Sequence, residues 1–575
     1  MTDALTRPRL LEPDDARLDR ARERLRTAFE TYDGSHDHAA PPALVHDPTL
    51  SAAAYRLTVR DGVAVVAGSD TDGLRHGIHA LAKLVVRQHG RLTDVVVEQS
   101  PALTVRGVCL DVGRRRWRTE TLRAFIDEMA WLGLNRLQLH LTEWNAFRIG
   151  LSDIRFRGLA DPDHYSSDEL NELIELAHAD GIAVSVELNL PAHCTALIEA
   201  FPDLGVRGSD VVLADGSTWT GFPTTGWMLD IARPQVVDFC TDLVRAVVSE
   251  VHADAYHLGG DEWFGSEELA RSPGLQAAAS DLAARAGAPG AASYTPADVV
   301  VDFLNRMCAV VREAGGRAEI WSWWDQAGAV AVQPDSTTTI TAWGAGDEAS
   351  RLVAQGYSVV ASPEDTHYVT PRTAPGNLPG VNYVAVDCQR LSSGPLQTGG
   401  GEQLAIWCDW AEEQPDEYFL WYAAAALRVF ATRAWDGPSP EADNAAAQHD
   451  LIRRPGTRGV GGPRVVVGGD ERLVGVRINA VSGAHVTSIG GKWTHETARL
   501  LDRWRGAVIE IAAPSGPWHE LMRLDKQLPP TWMSLPLNEV GPLDCRLRLA
   551  GPGEPTIDQV EWLVADGLDE ESAHV

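Results

Sequence analysis

The sequence predicts an α/β protein whose main part is a (β/α)8 TIM barrel, preceded by a small α+β domain and followed by a small β-rich domain. From residue 101 to residue 437, short β-rich runs alternate with segments of helical length, which is the pattern of a parallel barrel. Eight runs have strand character, as a closed barrel of this type requires. These runs are 104–110, 136–141, 183–188, 255–258, 318–321, 338–342, 358–361 and 404–407.

The N-terminal part of the chain is expected to form its own unit. With 575 residues the chain is too long for one compact core, so we expect several domains. Residues 1–100 are predicted to hold a polar helix and a small, non-catalytic α+β domain. Its strands are expected at 55–59 and 63–67, and the apolar residues of 71–88 recur with the period of a helix.

Breaker residues mark the end of the predicted barrel. One glycine and two prolines lie between Asp436 and Pro440, and we expect the barrel to end there. Residues 438–463 are predicted to be a linker, and residues 464–575 a β-rich domain. Its strand-like runs are 464–467, 473–478, 507–511 and 545–549. Within the barrel, residues 276–296 are rich in Ala and Gly, which predicts an irregular loop or a loose helix.

The charge balance excludes some classes of partner. The chain has 80 acidic and 50 basic residues, a formal charge of −30. Nonspecific binding to nucleic acid or to anionic membranes needs clusters of Lys and Arg, so we expect neither partner. No apolar window has the length of a membrane span. The first eight residues lack an apolar core and a charged, helix-like run follows, so we expect no secretory signal and a cytoplasmic location.

The seven cysteines are scattered along the chain and include no Cys-x-x-Cys pair. This spacing indicates neither a disulfide framework nor a structural zinc site. We expect most of them to be small buried residues.

Residues that suit catalysis or ligand binding follow the predicted barrel strands. Barrel enzymes place their sites at the carboxyl ends of these strands, so we predict a site there. The residues are Asp111, Glu143, His193, Asp261, Glu262, Trp323, Trp343, Tyr368 and Trp407.

The adjacent acids Asp261 and Glu262 are the strongest candidates for catalysis. They follow a short apolar strand and two glycines, Gly259 and Gly260, which allow a sharp turn close to a ligand. Two neighbouring carboxylates repel each other in a poorly solvated pocket, so one of them is expected to have a raised pKa and to hold a proton. Trp263 is expected to supply an apolar wall. An isolated Asp-Glu pair is more often an exposed helix cap, which is the alternative.

Residues 257–262, His-Leu-Gly-Gly-Asp-Glu, resemble the His-x-Gly-Gly-Asp-Glu signature of glycoside hydrolase family 20, the β-N-acetylhexosaminidases. Residues 103–114, 135–143 and 186–193 resemble the first three barrel strands of the same family, in the same order. The resemblance extends from about residue 50 to about residue 437.

The resemblance implies removal of a terminal N-acetylhexosamine by a substrate-assisted, retaining mechanism, in which the sugar's own acetamido oxygen attacks the anomeric carbon. Glu262 would protonate the leaving oxygen, Asp261 would orient the acetamido N–H, and Tyr368 would bind the acetamido carbonyl. No enzyme nucleophile, metal or organic cofactor is implied. The implied substrate is an aminosugar glycoside or an oligosaccharide.

The same resemblance implies a set of substrate-binding residues. Arg114 would fork onto two sugar hydroxyls, while its neighbours Arg115, Arg116 and Arg118 are expected to be a solvated stretch. Three tryptophans would enclose the sugar, although any one tryptophan is more often part of a core. The implied set is Arg114, Glu143, Asn189, His193, Trp323, Trp343, Trp407 and Asp409.

The sequence departs from the family pattern at several of these positions. The family usually has Asp where Asn189, Thr370 and Glu143 stand, Glu where Asp409 stands, and His where Arg115 stands. These differences favour a modified 2-acetamido sugar. Two alternatives stay open: a carbohydrate-binding pseudoenzyme, and a glycosidase that uses two enzyme carboxylates. The sequence gives no indication of the oligomeric state.

Overall fold

The computed structural model of the chain contains an N-terminal α+β domain, a parallel barrel and a C-terminal β-sandwich, in this order. It describes residues 9–10, 16–32, 41–88, 90, 92–206, 226–263, 269–270, 272–287, 294–326, 331–344, 346–370, 388–397, 399–408, 416–438, 457–468, 471–479, 488–489, 492–493, 503–524, 532–550, 554–555 and 559–566.

The N-terminal domain packs two helices against a five-stranded sheet. The helices are Asp19–Tyr32, which follows the short 3-10 turn Ala16–Leu18, and Thr71–Arg87. Apolar residues of both helices share one core with the sheet. The side chain of Asp70 caps the second helix by accepting from the backbone N–H of Gly73 at 2.7 Å. The strand order is Arg9–Leu10, Ala43–His46, Val63–Gly68, Tyr55–Arg60, Val95–Gln99.

Ion pairs fasten this domain to the barrel. The Nε of Arg20 lies 2.8 Å from Asp180 Oδ2, and the Nη1 of Arg24 lies 2.6 Å from Asp180 Oδ1. Asp180 is fully buried on the barrel side, so both guanidinium groups are needed to balance its charge. Lys83 lies over the ring of Trp131 at 5.4 Å, which adds a cation–π contact.

Eight parallel strands form the closed barrel, which confirms the predicted fold class. We number them β1 (Val105–Asp111), β2 (Arg136–His140), β3 (Ala183–Leu190), β4 (Ala255–Gly259), β5 (Arg317–Trp321), β6 (Thr339–Ala342), β7 (Ser358–Ala361) and β8 (Gly401–Ile406). The strands pair in chain order, and β8 pairs with both β1 and β7. Each of the eight predicted runs overlaps one strand.

Helices lie between the barrel strands. The prediction for residues 276–296 was wrong in part, because Pro273–Arg285 is a regular helix. Ser272 caps the start of this helix, where its side chain accepts from the backbone N–H of Leu275. Leu275 and Leu282 are buried. The helices are Thr119–Leu132, Ser167–Ala179, Thr195–Ala200, Pro234–Glu250, Pro273–Arg285, Pro296–Glu313, Trp323–Gln326, Glu348–Ala354, Glu364–His367, Cys388–Ser393 and Asp416–Asp436, with the 3-10 turn Pro202–Leu204.

Short strands extend the barrel at its carboxyl end. Tyr368–Val369 pairs in parallel with the end of β8, so that Tyr368 lies opposite Ala405. Two further pairs lie between β2 and β3. They are Thr142–Glu143 with Ala146–Phe147, and Ile149–Gly150 with Tyr165–Ser166.

A buried ion cluster holds β8 against two helices near this end. Glu402 accepts from Arg433 Nε at 2.8 Å and from Arg433 Nη2 at 2.9 Å. His367 Nε2 lies 3.2 Å from Glu402 Oε2. His367 directly precedes Tyr368, so this cluster helps to fix the backbone that carries Tyr368.

The C-terminal domain is a sandwich of two four-stranded antiparallel sheets. Trp504 and Trp562 lie in its core. The predicted linker 438–463 was too long, because the strand Thr457–Gly461 already belongs to the sandwich. The two glycines of this strand weaken its strand pattern in the sequence. The sheet orders are Thr457–Gly461, Val560–Asp566, Glu471–Asn479, Trp532–Val540, and Arg464–Val467, Leu543–Arg548, Ala507–Ala512, His519–Leu524, with the hairpin Ser488–Ile489 and Lys492–Trp493 separate.

Two other predictions concern single features. The seven cysteines are all buried, as expected. Within the described part of the chain, no helix combines the length and the apolar character that a membrane span needs.

We expect Glu402→Ala to lower the free energy of unfolding of the barrel by about 3–5 kcal/mol, because it leaves the buried charge of Arg433 uncompensated. Denaturant unfolding of the two proteins measures the difference. Arg390→Ala is the control, since it breaks the exposed ion pair with Asp365 and is expected to cost less than about 1 kcal/mol. Equal losses in the two variants would contradict the importance of the buried cluster.

Candidate active site

One cavity lies at the carboxyl end of the barrel, with a volume of about 360 Å³. This is the end where the sequence predicts the site. The cavity is lined by Arg114, His140, Glu143, His193, Asp261, Glu262, Trp321, Trp343, Tyr368 and Trp407.

The turn after β4 carries the adjacent acids into the cavity. Gly259 and Gly260 have φ angles of 66° and 81°, which glycine adopts without strain. A Cβ atom on Gly259 would lie 1.8 Å from Asn189 Oδ1, so the backbone passes too close to β3 for any other residue. Glu262 itself has a φ of 45°, an uncommon conformation for a residue with a side chain. The two glycines therefore allow the sharp turn, as predicted, and the close approach at Gly259 is to Asn189.

Asp261 has the raised pKa that the sequence predicts for one member of the pair. Burial is the largest cause, and the negative charges of Glu187 and Glu262 add to it. The positive charge of His193 acts in the opposite direction, and the resulting pKa is about 6. Asp261 is therefore mostly ionised at neutral pH but can take up a proton in mildly acidic solution.

His193 connects the acid pair to Glu143. Its Nε2 lies 3.1 Å from Glu262 Oε2 and 3.4 Å from Asp261 Oδ2, and its Nδ1 lies 2.8 Å from Glu143 Oε1. Burial alone would lower the pKa of His193, but the charges of Glu143 and Asp261 outweigh it and raise the pKa well above its usual range. His193 is thus an imidazolium that donates through Nε2 to Glu262 and forms an ion pair with Glu143 on its other side.

Glu143 is balanced by several cations. Arg114 Nη2 lies 2.8 Å from Glu143 Oε1, and His140 Nε2 lies 3.3 Å from the same oxygen. Burial would raise the pKa of Glu143, but Arg114, His193 and His140 hold it well below its usual range. Arg114 also bonds Asp111 Oδ2 at 2.9 Å. Both carboxylates therefore orient Arg114, one edge of which lines the cavity.

Four aromatic rings form one wall of the cavity. Trp321 lies 6.4 Å from Trp343 and 6.0 Å from Trp407, measured between ring centroids. Tyr368 lies 5.5 Å from Trp407 and 6.5 Å from Trp343. Rings at these distances and tilts pack favourably and exclude water from one side of a ligand.

Two tryptophans differ from their predicted places. Trp323 does not line the cavity but packs edge-on behind Trp343 at 5.6 Å, because it lies in the short helix after β5. Trp321, the last residue of β5, takes the lining position. Trp263 is buried in the main barrel core rather than forming a wall beside the acids.

Three further positions were expected to affect substrate binding. Asn189 is 2% exposed and lies against Gly259 behind the cavity wall, so it is not a lining residue. Its side-chain amide has no hydrogen-bond partner among the described residues. Thr370 is likewise buried and does not line the cavity. Asp409 lies outside the described residues.

The expectation of a solvated stretch after Arg114 holds for Arg118, which is exposed, but was wrong for Arg115 and Arg116, which are only partly exposed and form ion pairs. Arg115 Nη2 lies 2.9 Å from Asp416, which also accepts from the backbone N–H of Arg118 at 2.9 Å. Arg116 lies over the ring of Tyr165 at 4.6 Å. Their partners are distant in the sequence, so local charge gave no indication of these contacts.

Sequence reasoning missed three residues of the site. His140 could have been found, since it ends β2 three residues before Glu143. Trp321 could also have been found, because it alternates with the buried Ile320 at the end of β5. Trp227 gave no signal; its indole N–H donates to the backbone oxygen of Glu262 at 3.0 Å, and its ring lies 4.3 Å from His193.

One atom from each of His193, Asp261 and Glu262 lies within 4.8 Å of the others, close enough for a metal ion. Nitrogen and carboxylate oxygens are common ligands of divalent metals. Here, however, both ring nitrogens of His193 face carboxylates, and its raised pKa favours the protonated ring, which cannot bind a metal. The cluster fits proton transfer better than metal binding.

A (β/α)8 barrel that gathers an acid pair, an imidazolium and four aromatic rings in one cavity has the construction of a barrel glycosidase. The comparison with known families agrees. Residues 104–438 match the model of the glycosyl hydrolase family 20 catalytic domain, and the chain belongs to this family. The resemblance found in the sequence is thereby confirmed.

Known proteins similar to the chain include several hexosaminidases. A chitooligosaccharidolytic β-N-acetylglucosaminidase of Bombyx mori is 27% identical over 224 residues, 36% of this chain and 36% of that protein. A β-hexosaminidase of Vibrio furnissii is 25% identical over 422 residues, 66% of this chain and 65% of that protein. The chain thus matches less than two thirds of the length of these relatives.

Solved structures share the fold. An exo-β-N-acetylglucosaminidase of Vibrio harveyi, in complex with N-acetylglucosamine, has a TM-score of 0.60 and 18% sequence identity. The match covers 78% of this chain and 77% of that chain. At this identity the similarity supports the barrel architecture.

We expect His193→Gln to raise the pKa of Asp261 above about 6, by about 1 unit or more, because it removes the positive charge that opposes burial. Carbon NMR of labelled aspartate carboxyls, assigned with Asp261→Asn, measures the shift. The control is His178→Gln, an exposed histidine paired with Asp254. A pKa of Asp261 that stays near 6 in His193→Gln would contradict the assigned charge of His193.

Proposed function

We propose that the protein is a glycosidase that removes a terminal β-linked N-acetylhexosamine, or a modified 2-acetamido sugar, by a substrate-assisted retaining mechanism. The observation that carries this proposal is the cavity that Asp261, Glu262 and Tyr368 line together. Membership of family 20 and similarity to named hexosaminidases support it.

Glu262 is the general acid in this proposal. Glu262 donates the proton of its neutral carboxyl to the leaving oxygen, and His193, held as an imidazolium by Glu143, stabilises the carboxylate that remains through its hydrogen bond to Oε2. After the glycosidic bond breaks, Glu262 takes a proton from the incoming water. The strained φ of Glu262 and its backbone contact with Trp227 fix the carboxyl in one place.

Asp261 assists the sugar's own acetamido group. As a carboxylate it accepts from the acetamido N–H and stabilises the positive charge that develops on the cyclised intermediate. Its pKa of about 6 is that of a carboxylate short of partners, and a cationic intermediate supplies the missing charge. Tyr368, at the aromatic wall, donates its hydroxyl to the acetamido oxygen.

The surroundings of Glu143 weigh against the glycosidase with two enzyme carboxylates. That mechanism needs a second carboxylate free to attack the sugar. Among the described lining residues, Glu143 is the remaining acid, and Arg114, His140 and His193 already neutralise it. The pseudoenzyme is not favoured either, because Asp261, Glu262 and Tyr368 are all present in the cavity.

We expect Glu262→Gln to lower kcat on substrates with poor leaving groups by about 10²–10⁴-fold while KM changes little, because the variant lacks the proton donor. Steady-state kinetics with alkyl and nitrophenyl N-acetylglucosaminides measure the effect, which should be smaller for the nitrophenyl group. Glu172→Gln, which removes an exposed carboxylate on the outer helix Ser167–Ala179, is the control. Near-normal turnover by Glu262→Gln would exclude Glu262 as the acid.

We expect a thiazoline analogue of the cyclised acetamido group to inhibit competitively, since it resembles the intermediate that the cavity is proposed to stabilise. Inhibition should weaken in Asp261→Asn, which lacks the negative charge. Initial rates at several inhibitor concentrations test both statements. Capture of a covalent sugar on an enzyme carboxylate, without thiazoline inhibition, would instead support the mechanism with two enzyme carboxylates.

A further inference from the structure

Glu187 is a fully buried carboxylate on β3 that the proposed mechanism does not use. It does not line the cavity, yet it contacts two residues that do. Its Oε1 accepts from the indole N–H of Trp321 at 2.7 Å, and its Oε2 lies 2.7 Å from His140 Nδ1. Gln138 Nε2 also donates to Oε2, at 2.8 Å. Both carboxylate oxygens are therefore engaged by the structure directly beneath the cavity.

A continuous row of acids and imidazoles leads from Glu187 to Glu262. His140 bridges Glu187 and Glu143, with its Nε2 at 3.3 Å from Glu143 Oε1. Glu143 is joined to His193 at 2.8 Å, and His193 to Glu262 at 3.1 Å. Negative and positive groups alternate along the row. A change of charge at one end therefore acts on the proton at the other end.

The charges of the row depend on each other. Burial would raise the pKa of Glu187, but the charge of His140 and, when it is protonated, that of His257 lower it to about 2. Burial would lower the pKa of His140, but Glu187 and Glu143 raise it to about 10. His257, 3.5 Å from Glu187, has a lowered pKa because of burial and is neutral at neutral pH. His140 is thus the cation that balances Glu187.

Other charged groups face the row from neighbouring strands. The pKa of Asp261, which follows β4, is raised by the charge of Glu187 and lowered by the charge of His140. Asp111, at the end of β1, adds a negative charge near His140. Arg136 on β2 and Glu319 on β5 form a separate ion pair deeper in the barrel, at 2.7 Å. That pair largely neutralises itself, and Glu187 is the strongest of the negative charges that keep His140 protonated.

We propose that Glu187 is a positioning residue for the sugar cavity: it fixes the indole of Trp321 in the wall and keeps His140 protonated against Glu143. This role rests on the proposed function, since it concerns the proton that Glu262 donates. With His140 charged, Glu143 is shared among three cations. Without that charge, Glu143 attracts the Nδ1 proton of His193 more strongly, so the Nε2–H of His193 becomes a weaker donor to Glu262 and stabilises its carboxylate less.

Two substitutions of Glu187 separate its contacts. Glu187→Gln keeps an oxygen for the Trp321 N–H but removes the charge that faces His140. Glu187→Asp keeps the charge but shortens the reach toward Trp321. Glu319→Gln is the matched control, because Glu319 is also a buried barrel carboxylate and pairs with Arg136 away from the cavity. Circular dichroism and thermal unfolding check that each variant is folded.

The test measures kcat and KM of nitrophenyl N-acetylglucosaminide against pH, together with NMR of labelled histidine rings, assigned with His140→Gln. In Glu187→Gln, we expect His140 to lose its proton at a pH lower by about 1–3 units than in the wild type. As the pH rises through the midpoint of His140 deprotonation in this variant, kcat should fall about tenfold while KM changes little. A tenfold change corresponds to a change of about one unit in the pKa of His193.

In Glu187→Asp, we expect KM to change and the pH dependence of kcat to stay the same. His140 should stay protonated as in the wild type, so the pH dependence of kcat should be unchanged. KM should rise, because Trp321 loses its hydrogen bond and the wall of the cavity becomes less ordered. This variant keeps the test decisive even where Glu187→Gln is unstable.

Each outcome supports or overturns the role of Glu187. If the dependence of kcat on pH in Glu187→Gln has the same shape as in the wild type, Glu187 has only a structural role. The same conclusion follows if Glu319→Gln shows an equally large fall of kcat with rising pH. A loss of kcat at every pH in Glu187→Asp, with unchanged KM, would also overturn it. If the wild type does not cleave aminosugar glycosides, the proposed function itself fails.

Discussion

The buried charge of Glu143 is the constraint on which the rest of the site depends. Its carboxylate is shared by Arg114, His140 and His193, which follow or end the first three barrel strands. A buried carboxylate that loses a partner costs several kcal/mol, so each of the three cations stabilises the packing of these strand ends. The orientation of His193 toward Glu262 follows from this arrangement.

The carboxyl groups on the two sides of His193, those of Glu143 and Asp261, differ in pKa because their surroundings differ. Glu143 has cations around it, and its pKa lies well below the usual range. Asp261 is buried with fewer cations in contact with it, and its pKa rises to about 6. The same carboxyl chemistry thus gives a permanent anion that orients its neighbours and an acid that responds to charge on a ligand. The imidazolium of His193 couples the two.

Elements outside the eight-stranded sheet hold the remaining part of the cavity. Tyr368 lies on a short strand added beside β8, and the preceding His367 is bound to Glu402, which Arg433 neutralises. The long helix that carries Arg433 therefore supports the aromatic side of the site. The acid side depends on the glycine turn after β4, and the two sides meet because the barrel closes between β7 and β8.

The sequence by itself determined the barrel strands, the acid pair and most lining residues, because strand alternation, glycine turns and a contiguous motif are local signals. It determined neither the choice of Trp321 over Trp323 nor the position of Asn189 behind the wall. It also gave no indication of the row from Glu187 through His140 to Glu262. These features depend on which strands pair and in which register, since only barrel closure brings side chains from distant parts of the chain into contact.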